Sequence, residues 1–157
     1  MSTGKNFTVF PIGYVKRGDE KISIEVEEKY RPGLLGLDTF SHVIVVWWGH
    51  AYAQYRHQVD LQMKPPYAPD VLTGIFATRS PVRPNPVNVT PCKILGIDLE
   101  KGVLEINQID AFEGTPILDL KAYFPTVDRV KDVVVPDRFK TWGDWVPEEG
   151  EAPEFYE

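Results

Sequence analysis

The 157-residue sequence predicts an all-β domain, a small barrel or a sandwich, with one or two short helices. Three observations support this prediction. The chain is divided into short runs by 14 prolines and 12 glycines, the runs are rich in β-branched and aromatic residues, and helical periodicity is scarce. No Gly-x-Gly-x-x-Gly sequence follows a strand and strands do not alternate with helices, which argues against a Rossmann domain.

The strand pattern can be followed along the chain. Residues 21–28 alternate apolar and polar side chains, which indicates a half-buried strand, whereas the continuous apolar run 42–48 indicates a strand buried on both faces. The other predicted strands are residues 7–15, 71–78 and 115–124, and residues 89–110 read as a hairpin that turns at 100–102.

Two segments between these strands are predicted to be irregular. Residues 31–41 predict a turn and one helical turn that places Leu34, Leu35 and Leu37 in the core. Residues 49–72 predict a long loop, and long loops in small domains are usually functional or mobile.

Composition predicts one domain over residues 1–147 and an acidic tail over 148–157. The net charge of −6 is concentrated in that tail, since the remainder carries 18 acidic against 17 basic residues. Nucleic acid is therefore neither supported nor excluded as a partner. The chain lacks a membrane-spanning apolar run and a signal-peptide pattern, so a soluble cytoplasmic protein is expected.

Metal and cysteine chemistry are not expected. Cys92 is the single cysteine, and its place in an apolar run predicts a buried structural thiol. The three histidines are scattered without metal-ligand spacing, so no metal site is predicted.

The stretch GIFATRSPVRPNPVNVT (74–90) places Arg79 and Arg83 among three prolines. Each proline fixes its own φ and pushes the preceding residue toward an extended conformation, so the segment should be stiff. Rigidly held guanidinium groups suit a carboxylate or phosphate ligand. The sequence is equally compatible with a structural role, in which the arginines only cap carbonyls or pair with a core carboxylate.

A second group of polar residues lies on the predicted strand 116–123. Strand periodicity places Asp119, Lys121 and Tyr123, together with Ile117, on one face and the intervening apolar residues on the other. The alternative is an ordinary exposed Asp–Lys pair, which would contribute little stability.

Two further polar residues end predicted strands. Asp110 precedes the EGTP turn and could point into the same cleft as the Asp119 face. His50 follows the buried run 42–48 and could serve as a general base or as a polar structural anchor.

The stretches PIGYV, GLLGLDTFSHVIVVWWGH, GIFATRSPVRPNPVNVT and IDAFEGTPILDLKAYFPTVD together cover roughly residues 10–128. In this order they resemble the TrmO-type family of S-adenosylmethionine-dependent tRNA methyltransferases. The resemblance implies a small β-barrel, usually a homodimer, that methylates N6 of threonylcarbamoyladenosine at position 37 of tRNA.

The resemblance also implies roles for residues at matching positions. Catalysis would fall to His50 or Asp119 as the proton acceptor, with Lys121 or Arg79 steadying the acceptor or the donor carboxylate. The residues implied to bind S-adenosylmethionine are Thr78, Arg79, Ser80, Arg83, Asn85, Asp110, Thr115 and Tyr123.

Two departures from the family pattern affect acceptor recognition more than donor binding. The loop after the first strand lacks a proline-arginine-glutamine stretch, and Asn88 replaces a small residue after the RPNP element. Two other readings therefore stay open: a methyltransferase acting on a small molecule or a protein, and a non-catalytic nucleotide-binding domain. Recognition of tRNA requires the basic residues of the first half to border the cleft, namely Lys16, Arg17, Lys29, Arg31, Arg56 and Lys64.

Overall fold

Short runs of β-branched residues form eight strands in the computed structural model, which describes residues 4–147. In chain order they are β1 (Gly13–Arg17), β2 (Ile22–Val26), β3 (His42–Trp48), β4 (Gln62–Met63), β5 (Thr73–Gly74), β6 (Val87–Asp98), β7 (Val103–Ile106) and β8 (Pro116–Ala122). Six of them close into an antiparallel barrel in the order β1-β2-β7-β6-β3-β8, and β4 pairs with β5 outside it. The predicted small all-β barrel is confirmed.

Helices are short and lie outside the barrel wall. A single turn of α-helix, α1 (Pro125–Asp128), follows β8 within the described residues. The 3-10 helices span Glu28–Leu34, Leu37–Thr39, His50–Tyr55, Ile75–Ala77 and Asp137–Trp142. Among residues 4–147, no helix is long and apolar enough to cross a membrane.

The barrel interior is filled by alternate residues of each strand. Val43, Val45 and Trp47 of β3 point inward and are buried, whereas Ile44 and Val46 between them are only half-buried on the outer face. The prediction that 42–48 is buried on both faces is therefore wrong, because no second layer covers the outside of β3 among the described residues.

Three local predictions are corrected by the structure. The first strand begins at Gly13 rather than at residue 7, and only Thr73–Gly74 of the predicted strand 71–78 pairs before the chain turns into a 3-10 helix. Of the three leucines expected in the core, Leu34 is buried and Leu37 packs against the core, but Leu35 is 83% exposed.

Strand β8 contains a bulge that changes the faces predicted for it. Val46 pairs with Asp119 and Trp47 pairs with Ile117, so Leu118 is the extra residue. Ile117 is consequently fully buried in the barrel, and the prediction that it shares a face with Asp119 is wrong. The predicted tail, residues 148–157, lies outside the described residues.

Candidate functional site

A cavity of about 410 Å³ lies at the end of the barrel where β3 leads into the 3-10 helix that begins at His50. Three segments of chain supply its walls: the end of β3 with that helix, the proline-rich loop with β6, and the segment before β8. The lining residues are Trp47, Gly49, His50, Ala51, Tyr52, Arg79, Pro81, Asn88, Val89, Thr90, Asp110, Phe112 and Thr115. A volume of this size is typical of small-molecule sites.

Arg79 reaches the cavity from the proline-rich loop. One of its Nη atoms donates to the carbonyl oxygen of Val89 at 2.8 Å, which holds the guanidinium beside β6. The side chain is exposed, and its remaining donors have no partner among residues 4–147. Arg79 is therefore placed to bind an anionic group in the cavity.

Arg83 supports this loop instead of lining the cavity. Its Nη1 atom donates to the carbonyl oxygens of Thr78 and Ser80, at 3.3 and 3.2 Å. Buried Thr78 adds a hydroxyl bond to the carbonyl oxygen of Ile75 at 2.8 Å, and the Ser80 amide donates to the same hydroxyl at 3.3 Å. Thr78, Ser80 and Arg83 thus fix the backbone on both sides of Arg79.

His50 is positioned by contacts of the residues beside it. The carbonyl oxygen of Pro86 accepts from the Gly49 amide at 2.8 Å and from the Asn88 side-chain amide at 3.0 Å. A Cβ at Gly49 would lie 3.1 Å from that amide nitrogen, so a glycine suits this close approach. The imidazole of His50 is exposed in the cavity and has no partner within the described chain. Asn85 is exposed next to Pro86 and lies outside the lining.

Asp110 lies in the segment that leads from β7 to β8. Arg17 fixes this segment, because its Nη2 donates to the carbonyl oxygen of Ile109 at 2.6 Å and its Nε to that of Ala111 at 2.8 Å. The carboxylate of Asp110 is exposed and without a partner in residues 4–147. Thr115, almost fully buried, closes the same wall.

Apolar and aromatic residues that the sequence did not single out complete the cavity. Trp47 is buried and donates from its indole nitrogen to the Thr90 hydroxyl at 3.0 Å. Tyr52 and Phe112 form a tilted ring pair with centroids 6.4 Å apart. The sequence signal for these residues is that each lies within three positions of His50, Asn88 or Asp110. For Thr90 the reason is β-strand alternation, which turns residues 88 and 90 to one face.

Asp119 and Lys121 lie on a different side of the same strands. The pairs Val46–Val89 and Val46–Asp119 place these three side chains in one row on the outer face, because directly paired residues share a face. The cavity lining includes the inward-pointing Trp47 and Thr90, together with Val89, but neither Asp119 nor Lys121. Asp119 and Lys121 therefore lie outside the Asp110 cavity of their own copy of the chain.

Asp119 and Lys121 form an exposed ion pair with the Nζ and Oδ2 atoms 2.7 Å apart. The hydrogen bond to Asp119 and its negative charge raise the pKa of Lys121, so the ammonium stays charged near neutral pH and cannot act as a base. Asp119 also borders a second cavity, of about 570 Å³, between β8 and the 3-10 helices that precede β3.

Tyr123 is distant from the cavity along the barrel. Its amide donates to the carbonyl oxygen of His42 at 3.1 Å, at the start of β3, whereas His50 follows the end of that strand. At about 3.3 Å per residue the seven residues of β3 separate these positions by roughly 20 Å.

Most of the basic residues expected to border the cleft are occupied elsewhere. Arg17 holds the Asp110 segment, and Arg31 donates to the carbonyl oxygens of Val26 and Glu100. Lys16 pairs with Glu113, and Lys29 lies over the Tyr30 ring near Glu27. Arg56 lies over the Trp48 ring close to the helix that begins at His50, and Lys64 lies outside the lining.

No group of three or more histidine, cysteine, aspartate or glutamate side chains that could hold a metal ion occurs in the part of the chain that the structure describes. The cavity offers one guanidinium, one carboxylate, one imidazole, the exposed ring of Phe112 and the half-buried ring of Tyr52. This combination suits an organic ligand that carries an anionic end and a polar, flat ring system.

Comparison with protein families gives one match that covers most of the chain. A family profile described as the tRNA-methyltransferase O N-terminal domain matches residues 5–129. The matched range contains all eight strands and every residue of the cavity.

Individual relatives carry related descriptions. A probable S-adenosyl-L-methionine-binding protein of Halobacterium salinarum is 41% identical over 99 residues, which are 63% of this chain and 73% of that protein. A human tRNA (adenine(37)-N6)-methyltransferase is 36% identical over 103 residues, which are 66% of this chain and 22% of the human protein. The crystal structure of TrmO from Pseudomonas aeruginosa matches with a TM-score of 0.62 and 26% identity, covering 83% of this chain and 62% of that one. This chain therefore spans less than two thirds of the TrmO structure.

Proposed function

The chain belongs to the tRNA-methyltransferase O N-terminal domain family, and from this premise we propose that it transfers a methyl group from S-adenosylmethionine to N6 of threonylcarbamoyladenosine at position 37 of tRNA. The observation that supports the proposal most directly is the cavity, whose lining combines Arg79, which keeps free donors, with Asp110 and His50, whose side chains have no partner in residues 4–147. A reaction on tRNA also places the protein in the cytoplasm under this proposal.

The residues of the cavity fit the chemistry of the methyl donor. Arg79 would bind the carboxylate of the methionine portion, because its guanidinium keeps free donors in the cavity. Asp110 would accept hydrogen bonds from the ribose hydroxyls, since its carboxylate has no competing partner in residues 4–147. Thr78, Ser80 and Arg83 would act by holding the Arg79 loop in place.

The transfer requires alignment of two substrates and removal of one proton. S-adenosylmethionine, when bound, supplies a methyl group attached to a sulfonium sulfur, and this methyl carbon is the electrophile. His50 would accept the proton that the acceptor nitrogen releases as the new N–CH₃ bond forms, and S-adenosylhomocysteine would leave. Orienting donor and acceptor in line can provide a large part of the rate acceleration, because it removes the entropy cost of bringing them together.

The separation of Asp119 and Lys121 from the cavity leads to the second part of the proposal, a homodimer with shared sites. If these residues serve the reaction, they would reach the cavity of a second copy, since they do not line the cavity of their own copy. That face also carries exposed Val87 and Val89, 40% and 41% exposed, which a partner would cover. Lys121 would then supply a fixed positive charge next to the substrates.

One observation favours a different acceptor. Arg17 and Arg31 bond backbone carbonyls and Lys16 and Lys29 lie beside glutamates, so these four residues do not form a basic surface around the cavity. Binding of tRNA relies on such surfaces to contact phosphates. A methyltransferase of this fold that acts on a small molecule or a protein is therefore the alternative.

The donor assignment is tested by substituting Arg79. We expect Arg79→Ala to abolish binding of S-adenosylmethionine in isothermal titration calorimetry, because the donor carboxylate loses its counter-ion, while the circular dichroism spectrum stays unchanged. Arg129→Ala, an exposed arginine outside the cavity lining, is the matched control and should bind as the wild type does. Undiminished donor affinity in Arg79→Ala would remove Arg79 from the site.

The acceptor assignment needs a separate experiment. Mass spectrometry of tRNA nucleosides should detect N6-methylated threonylcarbamoyladenosine in cells that carry the wild-type protein and not in cells that carry only Arg79→Ala. If purified protein binds the donor but the nucleoside is unchanged between these cells, the tRNA acceptor is wrong and the alternative acceptor is favoured.

A further inference from the structure

Tyr52 and Phe112 form an aromatic pair at the cavity that has no partner in the hydrophobic core. Phe112 is 55% exposed although it is a large apolar side chain, and Tyr52 is half-buried. Their centroids lie 6.4 Å apart with 40° between the ring planes. An exposed aromatic ring that faces a cavity is a ready surface for a flat ligand, because covering it removes apolar area from water.

The backbone under Phe112 is held rigidly. The Thr115 amide donates to the Phe112 carbonyl oxygen at 3.1 Å, and Gly114, with φ of +74°, makes the turn between them. Arg17 fixes the other side through the carbonyl oxygens of Ile109 and Ala111. A ring on a pre-organised loop loses little freedom when a ligand stacks on it, which favours a binding role over a merely exposed side chain.

The carboxylate of Asp110 indicates which flat group the rings receive. Asp110 precedes Phe112 by two residues, lines the same cavity and has no other partner in the described chain. A carboxylate that accepts from both ribose hydroxyls requires a free nucleoside. A nucleotide inside a tRNA chain does not meet this requirement, because its 3′ oxygen is esterified. The donor meets it.

We infer that Phe112 and Tyr52 stack the adenine ring of the methyl donor, with Asp110 holding the adjoining ribose. This inference rests on the proposed function, since it takes S-adenosylmethionine as the ligand of the cavity. It adds two binding residues to the site. Tyr52 follows His50 by two positions, and Phe112 follows Asp110 by two positions.

Calorimetry with Phe112→Ala, Phe112→Tyr and Tyr52→Ala tests the inference. The ligands are S-adenosylmethionine, S-adenosylhomocysteine and methylthioadenosine, the last of which keeps adenine and ribose but lacks the amino acid. We expect Phe112→Ala to weaken all three by roughly 5- to 150-fold, the range of aromatic–base stacking. Phe112→Tyr should restore binding, and Phe7→Ala, an 88% exposed phenylalanine outside the cavity lining, should leave it unchanged.

A spectroscopic readout separates stacking from a structural effect. Stacked adenine loses ultraviolet absorbance, so binding to the wild type and to Phe112→Tyr should produce a hypochromic difference spectrum. Residual binding to Phe112→Ala at saturating ligand should produce a weaker one.

The outcomes distinguish the inference from the proposed function. If the wild type binds the donor and Phe112→Ala binds all three ligands equally well, the adenine assignment is overturned and the proposed function stands. If Phe112→Ala keeps donor affinity but raises KM for tRNA, the rings serve the acceptor and the assignment is again overturned. If the wild type itself binds no donor, the proposed function fails and the inference with it.

Discussion

Arginine side chains near the cavity differ in what they contact. Arg17 and Arg83 each bond two backbone carbonyl oxygens and hold the two loops from which Asp110 and Arg79 project. Arg79 bonds one carbonyl and keeps free donors in the cavity. A guanidinium has five donors in a fixed fork, so one residue type can either lock a loop or bind a ligand, depending on how many carbonyls surround it.

Cys92 gives a prediction at the residue scale. It is fully buried in the barrel, and its Sγ donates to the Gln108 carbonyl oxygen at 3.1 Å. Burial raises the pKa of the Cys92 thiol from its ordinary value of 9.0 to about 12, because the interior disfavours a thiolate. Above pH 9 the unfolded chain loses a proton that the folded chain keeps, so the free energy of unfolding falls by about 1.4 kcal/mol per pH unit until the folded pKa is reached.

The effect of this thiol can be isolated with Cys92→Ala. The variant should be less stable than the wild type at pH 8 because it leaves a cavity. The difference in unfolding free energy between the two proteins should then shrink by about 2–3 kcal/mol by pH 11, as urea unfolding at both pH values would measure. A difference that is independent of pH would mean that the thiol ionises as readily in the folded chain.

The sequence could predict the arginine loop but not the division of roles within it. The three prolines indicate a stiff segment whichever arginine faces the ligand, and both arginines match the family motif. What separates them is the position of the carbonyls of Thr78, Ser80 and Val89 after folding. The structural role of Arg17 is equally hidden in the sequence, which suggests a place at a tRNA surface. Its carbonyl partners are 92 and 94 residues away in the chain and come close only after folding.

At the scale of elements, period-two alternation predicted the strands well where they were regular. It failed in β8, because the bulge at Leu118 adds one residue and turns Ile117 inward while Asp119 and Lys121 stay outside. A bulge depends on the register with β3 and leaves no signal in β8 alone. The predicted strand 71–78 is longer than the observed strand Thr73–Gly74. The apolar run continues into a 3-10 helix over Ile75–Ala77, which the same residue types also favour.

Gly13 gives a prediction for the pairing of β1 with β2. A Cβ at this position would lie 2.3 Å from the carbonyl oxygen of Glu25, so the two strands can approach only because a glycine is present. We expect Gly13→Ala to lower the free energy of unfolding by about 1–3 kcal/mol, measured in urea, because a backbone must shift to relieve the overlap.

Gly96→Ala is the matched control for that experiment. Gly96 also lies in a barrel strand, β6, but a Cβ there meets no atom within 4 Å. The control should therefore stay within about 0.5 kcal/mol of the wild type. Equal losses of stability in the two variants would mean that the conformational freedom of glycine, and not the close approach at Gly13, governs the effect.

At the scale of the whole molecule, the two groups of polar residues occupy different places, because Asp119 and Lys121 do not line the cavity of Arg79, His50 and Asp110. Strand β3 lies between β6 and β8, and its inward residue Trp47 lines the cavity, whereas Ile44 and Val46 pair with Lys121 and Asp119 on the outer face. The stretches of sequence that resemble the family could not reveal this separation. Stretches that supply cavity residues are followed directly along the chain by the stretch that supplies Asp119 and Lys121. A shared site between two copies would reunite them.

Mixing two inactive variants tests the shared site. In a heterodimer of Arg79→Ala with Asp119→Ala, one site would combine both substitutions and the other would contain none. An equal mixture should therefore recover about a quarter of the wild-type sites, because half of the dimers would be heterodimers with one intact site each.

Arg79→Ala mixed with His50→Ala is the control: both residues lie in the same cavity, so no mixed dimer regains an intact one. Heterodimers would be isolated through two different affinity tags, and methyl transfer and donor stoichiometry measured on them. If purified heterodimers of the first pair stay inactive while a stable dimer forms, Asp119 does not act across the interface, and each copy carries its own complete site.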